Sequence, residues 1–364
     1  MRLRSFTDAD LQKLETFARR HFGSSPLSDR AFNEHWFQTS RYDGWAVKVL
    51  DDEEGRIMGI MMVIVVQAKF GSRTVPLAWI SSAAVEERAR ARGAGSQFYL
   101  WVYKAFPLVG AMSGNENSLP LNQLLGMEID GVRMRRFISV HRRQAANLCV
   151  PEKRRAVLSA AGRTVEHTME NLVLSSSGRI PEDYEELWGR FRDKIYCTTE
   201  RGRDYVEWRY LRAPYVNYKL WTVRVDRRLR AFAVVRFQPT PEGLVCRVLD
   251  FVSDDECAAE AWRLVAEKAQ AERALFTDFM VVGSQQDEHL LRAGFLPADA
   301  DTGLDAIPHL LSPLEHREWS NTFHLGGALA KKDQSWRYPE QVYFTKGDSD
   351  RDWPTTHDLA LRTS

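Results

Sequence analysis

Apolar and polar positions change period several times along the chain, and each change predicts an element. After a short strand at residues 1–5, Leu11, Leu14, Ala18 and Phe22 recur at helical spacing behind the start signal Thr7-x-x-Asp10, so residues 8–22 read as an amphipathic helix. A second helix follows Pro26 through Phe32, Trp36 and Phe37. Three apolar runs, 45–50, 57–70 and 74–85, separated by the turn DDEEG and by Gly71, read as successive antiparallel strands. The stretch GSQFYLWVYKAF, residues 95–106, predicts a buried helix and 108–113 a strand. A short helix ending near 124–127 and a strand at 135–141 complete the run.

The polar, basic stretch 142–155 predicts a boundary, after which the pattern starts again. Helical and strand-like runs, a helix at 256–272 and a strand at 274–282 replay the order over about 176–300, with a closing segment to about 354. A chain of 364 residues also exceeds what one core holds, since single cores stop growing near ~250 to 300 residues. The expectation is therefore α+β: two copies of one fold, in domains 1–150 and 151–364, each with a mixed, mostly antiparallel central sheet flanked by helices.

Composition removes several functions. Lys plus Arg number 50 against 49 for Asp plus Glu, so no global field draws the protein to nucleic acid or anionic lipid. No apolar run approaches the ~18 residues of a membrane span, and MRLRSFTDADLQKLE lacks the apolar core of a signal peptide, so a cytoplasmic protein with no membrane span is expected. Cys149, Cys197, Cys246 and Cys257 form no C-x-x-C pair and read as buried thiols. No metal is expected either: His167 and Glu170 make a lone H-x-x-E. Asp348, Asp350 and Asp352 have EF-hand-like spacing, but Trp353 and Leu359 stand where Gly and Glu are required.

Candidate chemistry concentrates in EERARARGAGSQF, residues 86–98. Arg88, Arg90 and Arg92 beside a glycine-broken turn fit a nucleic-acid patch, a solvated helix face or a phosphate-holding loop. The balanced charge and the absence of basic-aromatic repeats speak against nucleic acid. For phosphate, a glycine turn leading into a helix offers free N–H groups and the positive end of the helix dipole.

Arg90 to Gly95 is R-x-x-G-x-G after a strand ending in Val85, and NENSLPLNQLLGM follows with Asn115, Ser118, Leu121 and Gly126. Together these motifs resemble those of the GNAT superfamily of acyl-CoA-dependent N-acyltransferases, over residues 1 to about 141. The resemblance implies a GNAT fold and acetyl-CoA or another acyl-CoA as co-substrate. It places pyrophosphate over Arg90, Ala91, Arg92, Gly93, Ala94 and Gly95, and pantetheine along the edge of the strand ending at Val85, with Asn115. It further implies direct acyl transfer to a primary amine of a small molecule or amino sugar, and is compatible with a homodimer.

The departures from that pattern bear on catalysis. Asn122 stands where a Tyr would protonate the leaving thiolate, Met127 replaces Phe, and residues 74–85 contain no Asp, Glu or His to serve as base. Asn115 and Asn122 are candidates to orient a water or hold pantetheine; Glu116, Glu128, Asp130, His141 and His35 are candidate bases. Ser81 and Ser82 lack a G-x-S-x-G frame and read as local hydrogen-bonding residues. The alternative is a catalytically inactive GNAT-like sensor or scaffold that binds CoA.

The second copy has Asp250, Asp254, Asp255 and Glu256 where phosphate would sit, and Gly283 where the Asn belongs, so it is expected to bind no CoA. Its aromatic group, Tyr205, Trp208, Tyr210, Tyr215, Tyr218 and Trp221, fits core packing or sugar stacking. The acidic tail GDSD resembles, in its phrase, tandem GNAT-like proteins of surface-polysaccharide modification; it either receives an amine or caps a turn.

Overall fold

Ten consecutive apolar residues starting at Ile57 leave no polar face, and the strand they form is buried on both sides from Ile57 to Val66. That is the signature of a central strand covered by helices above and below. In this computed structural model the described residues are 1–23, 26–38, 44–112, 114, 118–124, 126–127, 132–163, 171–311, 314–316 and 321–354.

In chain order the elements begin β1 (Arg2–Ser5), α1 (Leu11–Phe22), α2 (Arg30–Phe37), β2 (Val47–Asp51), β3 (Ile57–Phe70) and β4 (Arg73–Val85). They continue α3 (Glu87–Arg90), α4 (Ala94–Ala105), β5 (Leu108–Met112), α5 (Ser118–Leu124), β6 (Met134–Val140), α6 (Arg154–Ala160) and β7 (Val173–Ser177). Next come α7 (Tyr184–Arg192), β8 (Cys197–Thr199), α8 (Arg203–Val206), β9 (Lys219–Val225), β10 (Arg228–Thr240), β11 (Gly243–Ser253), α9 (Asp255–Ala271) and β12 (Phe276–Val282). The series ends α10 (Asp287–Arg292), β13 (Leu296–Pro297), β14 (Leu310–Leu311), β15 (Leu314–Glu315), β16 (Phe323–Gly326), α11 (Ala328–Lys332) and β17 (Val342–Thr345).

Two compact units result: 1–133 with 320–337 and 348–364, and 134–319 with 338–347. The first unit carries β1 to β4 as antiparallel neighbours, β5 parallel to β4, and β16 antiparallel on β5. Its helix α1 starts as the sequence signals: Asp10 accepts the Thr7 N–H at 3.0 Å, and Leu11, Leu14, Phe17 and Ala18 face the core. Helix α4 buries Ala94, Phe98, Tyr99 and Val102 against β3 and β5 residues.

The second unit repeats the pattern. β9, β10 and β11 are antiparallel, β12 is parallel to β11, and α9 connects them. The hydrogen bonding coincides in detail. A bulge in β4 leaves Ser81 as the extra residue, between Ser82 opposite Met62 and Ile80 opposite Val63. A bulge in β11 leaves Leu249 extra, between Asp250 opposite Val234 and Val248 opposite Val235. Just beyond the strands, Glu86 N–H donates to Met58 O at 2.8 Å and Asp254 N–H to Arg230 O at 2.9 Å. The expected α+β fold with mixed, mostly antiparallel sheets is therefore present.

Three features differ from the sequence expectation. The units divide at residue 133 rather than near 150, because β6, expected as the last strand of the N-terminal copy, pairs with β12 along its whole length. β16, far down the chain, takes the free edge of β5 instead. The stretch 142–155 is no linker: Ala145, Ala146, Leu148 and Cys149 are buried in a cluster with Ile138, Phe276 and Leu304. Its apolar residues are few but are gathered by a tight 3-10 turn, while Arg143, Lys153 and Arg155 stay exposed.

Candidate active site

β4 pairs with β3 from Arg73 to Val85, which occupies one of its edges. On the other edge it meets β5 only over Leu77–Trp79 against Leu108–Gly110. β5 gives its far edge to β16 over Val109–Met112. From Ile80 to Val85, therefore, the second edge of β4 has no strand partner among the described residues, and a wedge opens at the carboxyl ends of two parallel strands, the place where such sheets hold ligands. Gly110 stands at the apex: a Cβ there would lie 2.5 Å from a ring carbon of Trp79, so only glycine lets that ring lie across the junction. The bulge residue Ser81 sits where the strands part, and its Oγ is buried with no hydrogen-bond partner among the described residues.

At the end of the open edge, residues 86–95 are more wound than a plain loop. α3 forms one turn, and the N–H groups of Arg90, Ala91, Arg92 and Gly93 donate to the carbonyls of Glu86, Glu87, Ala89 and Arg90 at 2.9–3.1 Å. Gly93 then takes a left-handed conformation, φ 70° and ψ 19°, and caps the twelve-residue α4. Ala94 and Gly95 open the helix, and their N–H groups donate to no described residue. Of the six residues expected over pyrophosphate, the structure leaves these two with free N–H groups.

The arginines separate into two kinds. Arg88 is tied to its surroundings: Nη2 donates to Met58 Sδ at 3.1 Å and lies 3.7 Å from Asp52, with Nε 3.9 Å from Glu86. Arg90 and Arg92 are exposed and have no ion-pair partner among the described residues. Among the described residues, two unpaired guanidinium groups thus precede in the chain two N–H groups without an acceptor at the positive end of a helix, a combination that attracts an anion.

The second motif lies against the first. Leu121 on α5 reaches 3.8 Å from the position a Gly95 Cβ would take. Asn122 is 1% exposed, and its Oδ1 has no hydrogen-bond partner among the described residues. Asn115, Glu116, Glu128 and Asp130 lie outside the described residues, as do His167 and Glu170. His35 sits on α2 against Trp36. His141 belongs to the second unit, bonded to Thr277 at 2.8 Å; burial, with Arg142 adding to it, lowers its pKa to about 4.

Two groups escaped the sequence reading. Tyr103 on α4 has a buried Oη without a hydrogen-bond partner among the described residues, and burial raises its pKa well above the ordinary value. Its sequence signal was only a second tyrosine four residues after Tyr99 on an apolar helix. The other is the place of the acidic tail, whose aspartates the sequence offered as amine acceptors or turn caps without a position in the fold. Ser349 Oγ donates to Met112 Sδ at 3.2 Å and Arg351 Nη2 to Met112 O at 2.6 Å, which brings Asp350 to the end of β5. No spacing rule connects residues 112 and 350.

In the second unit the equivalent wedge is filled. β6 covers one edge of β12 from Phe276 to Val282. β11 pairs over Thr277–Phe279 and β17 over Val281–Val282, so β17 lies on the β11 side. Tyr343 Oη donates to Phe251 O on the β11 edge. Arg201, fully buried, bonds Asp250 at 2.9 Å, and Gly347 packs against Leu249 O. At the start of α9, Asp254 accepts from Arg190 and Arg230 at 2.9 Å. The aromatic residues Tyr205, Tyr210, Tyr218 and Trp221 are buried at 7% exposure or less, so they form core.

No described protein family matches the chain, and no curated protein matches it either. Solved structures do. A GCN5-related N-acetyltransferase from Anabaena variabilis aligns with TM-score 0.60 at 12% identity, over 89% of this chain and 72% of that one. A protein of unknown function from Enterococcus faecalis, described as a probable N-acyltransferase, aligns with TM-score 0.59 at 8% identity, over 90% and 72%. The N-myristoyltransferase of Saccharomyces cerevisiae, solved with myristoyl-CoA and inhibitors, aligns with TM-score 0.52 at 9% identity, over 89% and 79%. At these identities the likeness is one of fold.

Proposed function

We propose that this chain, which has the fold of the GNAT superfamily, is an acyl-CoA-dependent N-acyltransferase whose first unit holds the donor and whose acceptor is a primary amine of a small molecule or amino sugar. The observation that carries the reading is that, among the described residues, the edge of β4 from Ile80 to Val85 has no strand partner and leads to the N–H groups of Ala94 and Gly95, which have no acceptor, with Arg90 and Arg92, which have no ion-pair partner, just before them in the chain. An extended pantetheine arm needs an unpaired strand edge, and a pyrophosphate needs positive donors at its end. The wedge supplies both in continuity. In this reading Val85 and residues 90–95 hold the donor with Asn115, Ser81 Oγ stands by the thioester carbonyl, and Asn122 donates to the arm or to a water. Glu116 keeps its place among the residues proposed to act on the amine.

In the reaction the amine nitrogen attacks the thioester carbonyl, the C–N bond forms, the C–S bond breaks, and the thiolate takes a proton. A thiol of pKa near 8.5 leaves readily, so the absence of a Tyr at position 122 is tolerable. The second unit, with its wedge filled and Asp254 at the head of α9, holds no donor in this reading.

Thermal shift with CoA, acetyl-CoA and longer acyl-CoAs tests the binding: a ligand at 100 times its Kd adds about 2.7 kcal/mol, and no shift with any of them overturns the reading. Release of free thiol with a panel of primary amines then tests transfer. A shift without thiol release on any amine would favour a CoA-binding sensor, the reading that the carboxylate-free β4 supports.

A further inference from the structure

We propose that Asp350 is the general base that receives the proton of the acceptor amine, an inference that rests on the acyl-CoA reading above. β4 offers no carboxylate or histidine, so the base must come from another segment. Residues 348–354 bring one to the wedge. Met112 ends β5, and because β5 runs parallel to β4 it lies at the end of the sheet where the open edge of β4 leads into α3 and α4. Ser349 and Arg351, the two chain neighbours of Asp350, both hold Met112. Two residues further on, Trp353 packs edge-on against Phe32 of α2, with ring centroids 5.0 Å apart, and against Phe37 at 6.3 Å. The tail is therefore anchored on both sides of Asp350.

Three carboxylates come with this segment, and they are not equivalent. Asp348 and Asp352 are 2% and 3% exposed. Asp350 keeps partial exposure and has no ion-pair partner among the described residues, since the adjacent Arg351 guanidinium is turned to the Met112 carbonyl. Burial raises its pKa to about 6, an effect that Arg351 offsets only in part. A carboxylate of that basicity is suited to take a proton near neutral pH.

The Asp350 carboxylate removes one proton from the bound ammonium and passes it to solvent, leaving a neutral amine whose lone pair attacks the thioester carbonyl. On collapse the C–S bond electrons stay with sulfur, and the second nitrogen proton goes to the thiolate. The products are the amide, CoA thiol and one proton.

The test compares wild type, Asp350→Asn and Asp350→Glu in thiol release from acetyl-CoA, using any amine of the panel that the wild type accepts, together with the acetyl-CoA thermal shift. Asp350→Asn should lower kcat/KM by about 100-fold or more with the thermal shift unchanged, and Asp350→Glu should retain part of the rate. The deficit of Asp350→Asn should shrink with hydroxylamine, which is already unprotonated at assay pH. A full rate in Asp350→Asn overturns the proposal and leaves the acyl-CoA reading intact. An equal deficit with hydroxylamine, or a lost acetyl-CoA shift in the variant, also overturns it. No shift or no thiol release in the wild type overturns the underlying reading and this inference with it.

Discussion

The first and second units open the same wedge and then treat it in opposite ways. In both, a bulge near the end of the third strand of the meander, at Ser81 or Leu249, turns that strand away from its parallel neighbour. In both, the next N–H closes back onto the second strand, Glu86 to Met58 O and Asp254 to Arg230 O. The first unit then presents, among the described residues, an edge without a strand partner, a left-handed glycine and two arginines without an ion-pair partner. The second inserts β17, seals the edge with Tyr343 and places an aspartate, already claimed by two arginines, at the head of the helix. A shared backbone can thus serve a ligand or serve the core, and a few side chains decide which.

That contrast can be broken at several points. The largest effect is expected from Gly283→Val in the second unit. Gly283 has φ 108°, and a Cβ would come 1.9 Å from Val342 O, against the strand that fills the wedge. Strain and overpacking together should cost about 3 kcal/mol or more, read as a lower urea midpoint. A Gly283→Val protein of wild-type stability would mean that β17 is not seated there.

Next is the pair Arg90→Glu with Arg92→Glu in the first unit. Each charge-assisted bond is worth about 1.5–3 kcal/mol, so acetyl-CoA affinity by calorimetry should fall by about 100-fold or more with melting temperature unchanged. Unaltered affinity would remove these residues from the anion site.

Asp254→Asn should do the reverse, leaving acetyl-CoA affinity alone and lowering stability by about 1.5–3 kcal/mol. Burial works against the charged form of Asp254, but hydrogen bonds from Arg190 and Arg230 outweigh it and hold its pKa below the ordinary value. A depressed folded pKa gives stability that is complete above the unfolded value near ~3.9 and is lost as pH falls through the folded one. The wild-type advantage over Asp254→Asn should therefore be constant at neutral pH and shrink below about pH 4 in urea melts. An advantage that grows on acidification would contradict the assignment.

The smallest change is Tyr343→Phe. Losing the Oη bond and leaving the Phe251 carbonyl without it should cost about 1–2 kcal/mol in urea unfolding, with no new acetyl-CoA site detected by calorimetry. A second equivalent of acetyl-CoA bound by this variant would show that one hydroxyl is what closes the second wedge.

Much of the first unit was legible in order. Thr7 and Asp10 announced α1, the unbroken apolar run from Ile57 announced a strand covered on both faces, and R-x-x-G-x-G announced a turn into a helix. The one-turn α3 was not announced, because Glu87 to Arg90 is too short and too polar to carry a period. The fate of β6 was hidden for a different reason. Its alternation says which face is buried but not against which strand, and β12 lies more than 130 residues further on. The acidic tail was legible as aspartates that receive an amine or cap a turn; that Ser349 and Arg351 would find Met112 depends on a return of the chain that no local signal encodes.

What the sequence by itself determined is whatever depends on neighbours a few residues apart: the helices and strands, the Thr7 cap, and the glycine at position 93 that can turn left-handed ahead of α4. Only the tertiary structure decided which strand edges were paired and which stayed open. A strand carries donors and acceptors on both edges, and nothing along its own length distinguishes the edge that meets β17 from the edge left bare between Ile80 and Val85. That choice rests on long-range pairing, and with it the difference between a wedge that can receive a ligand and one that is part of the core.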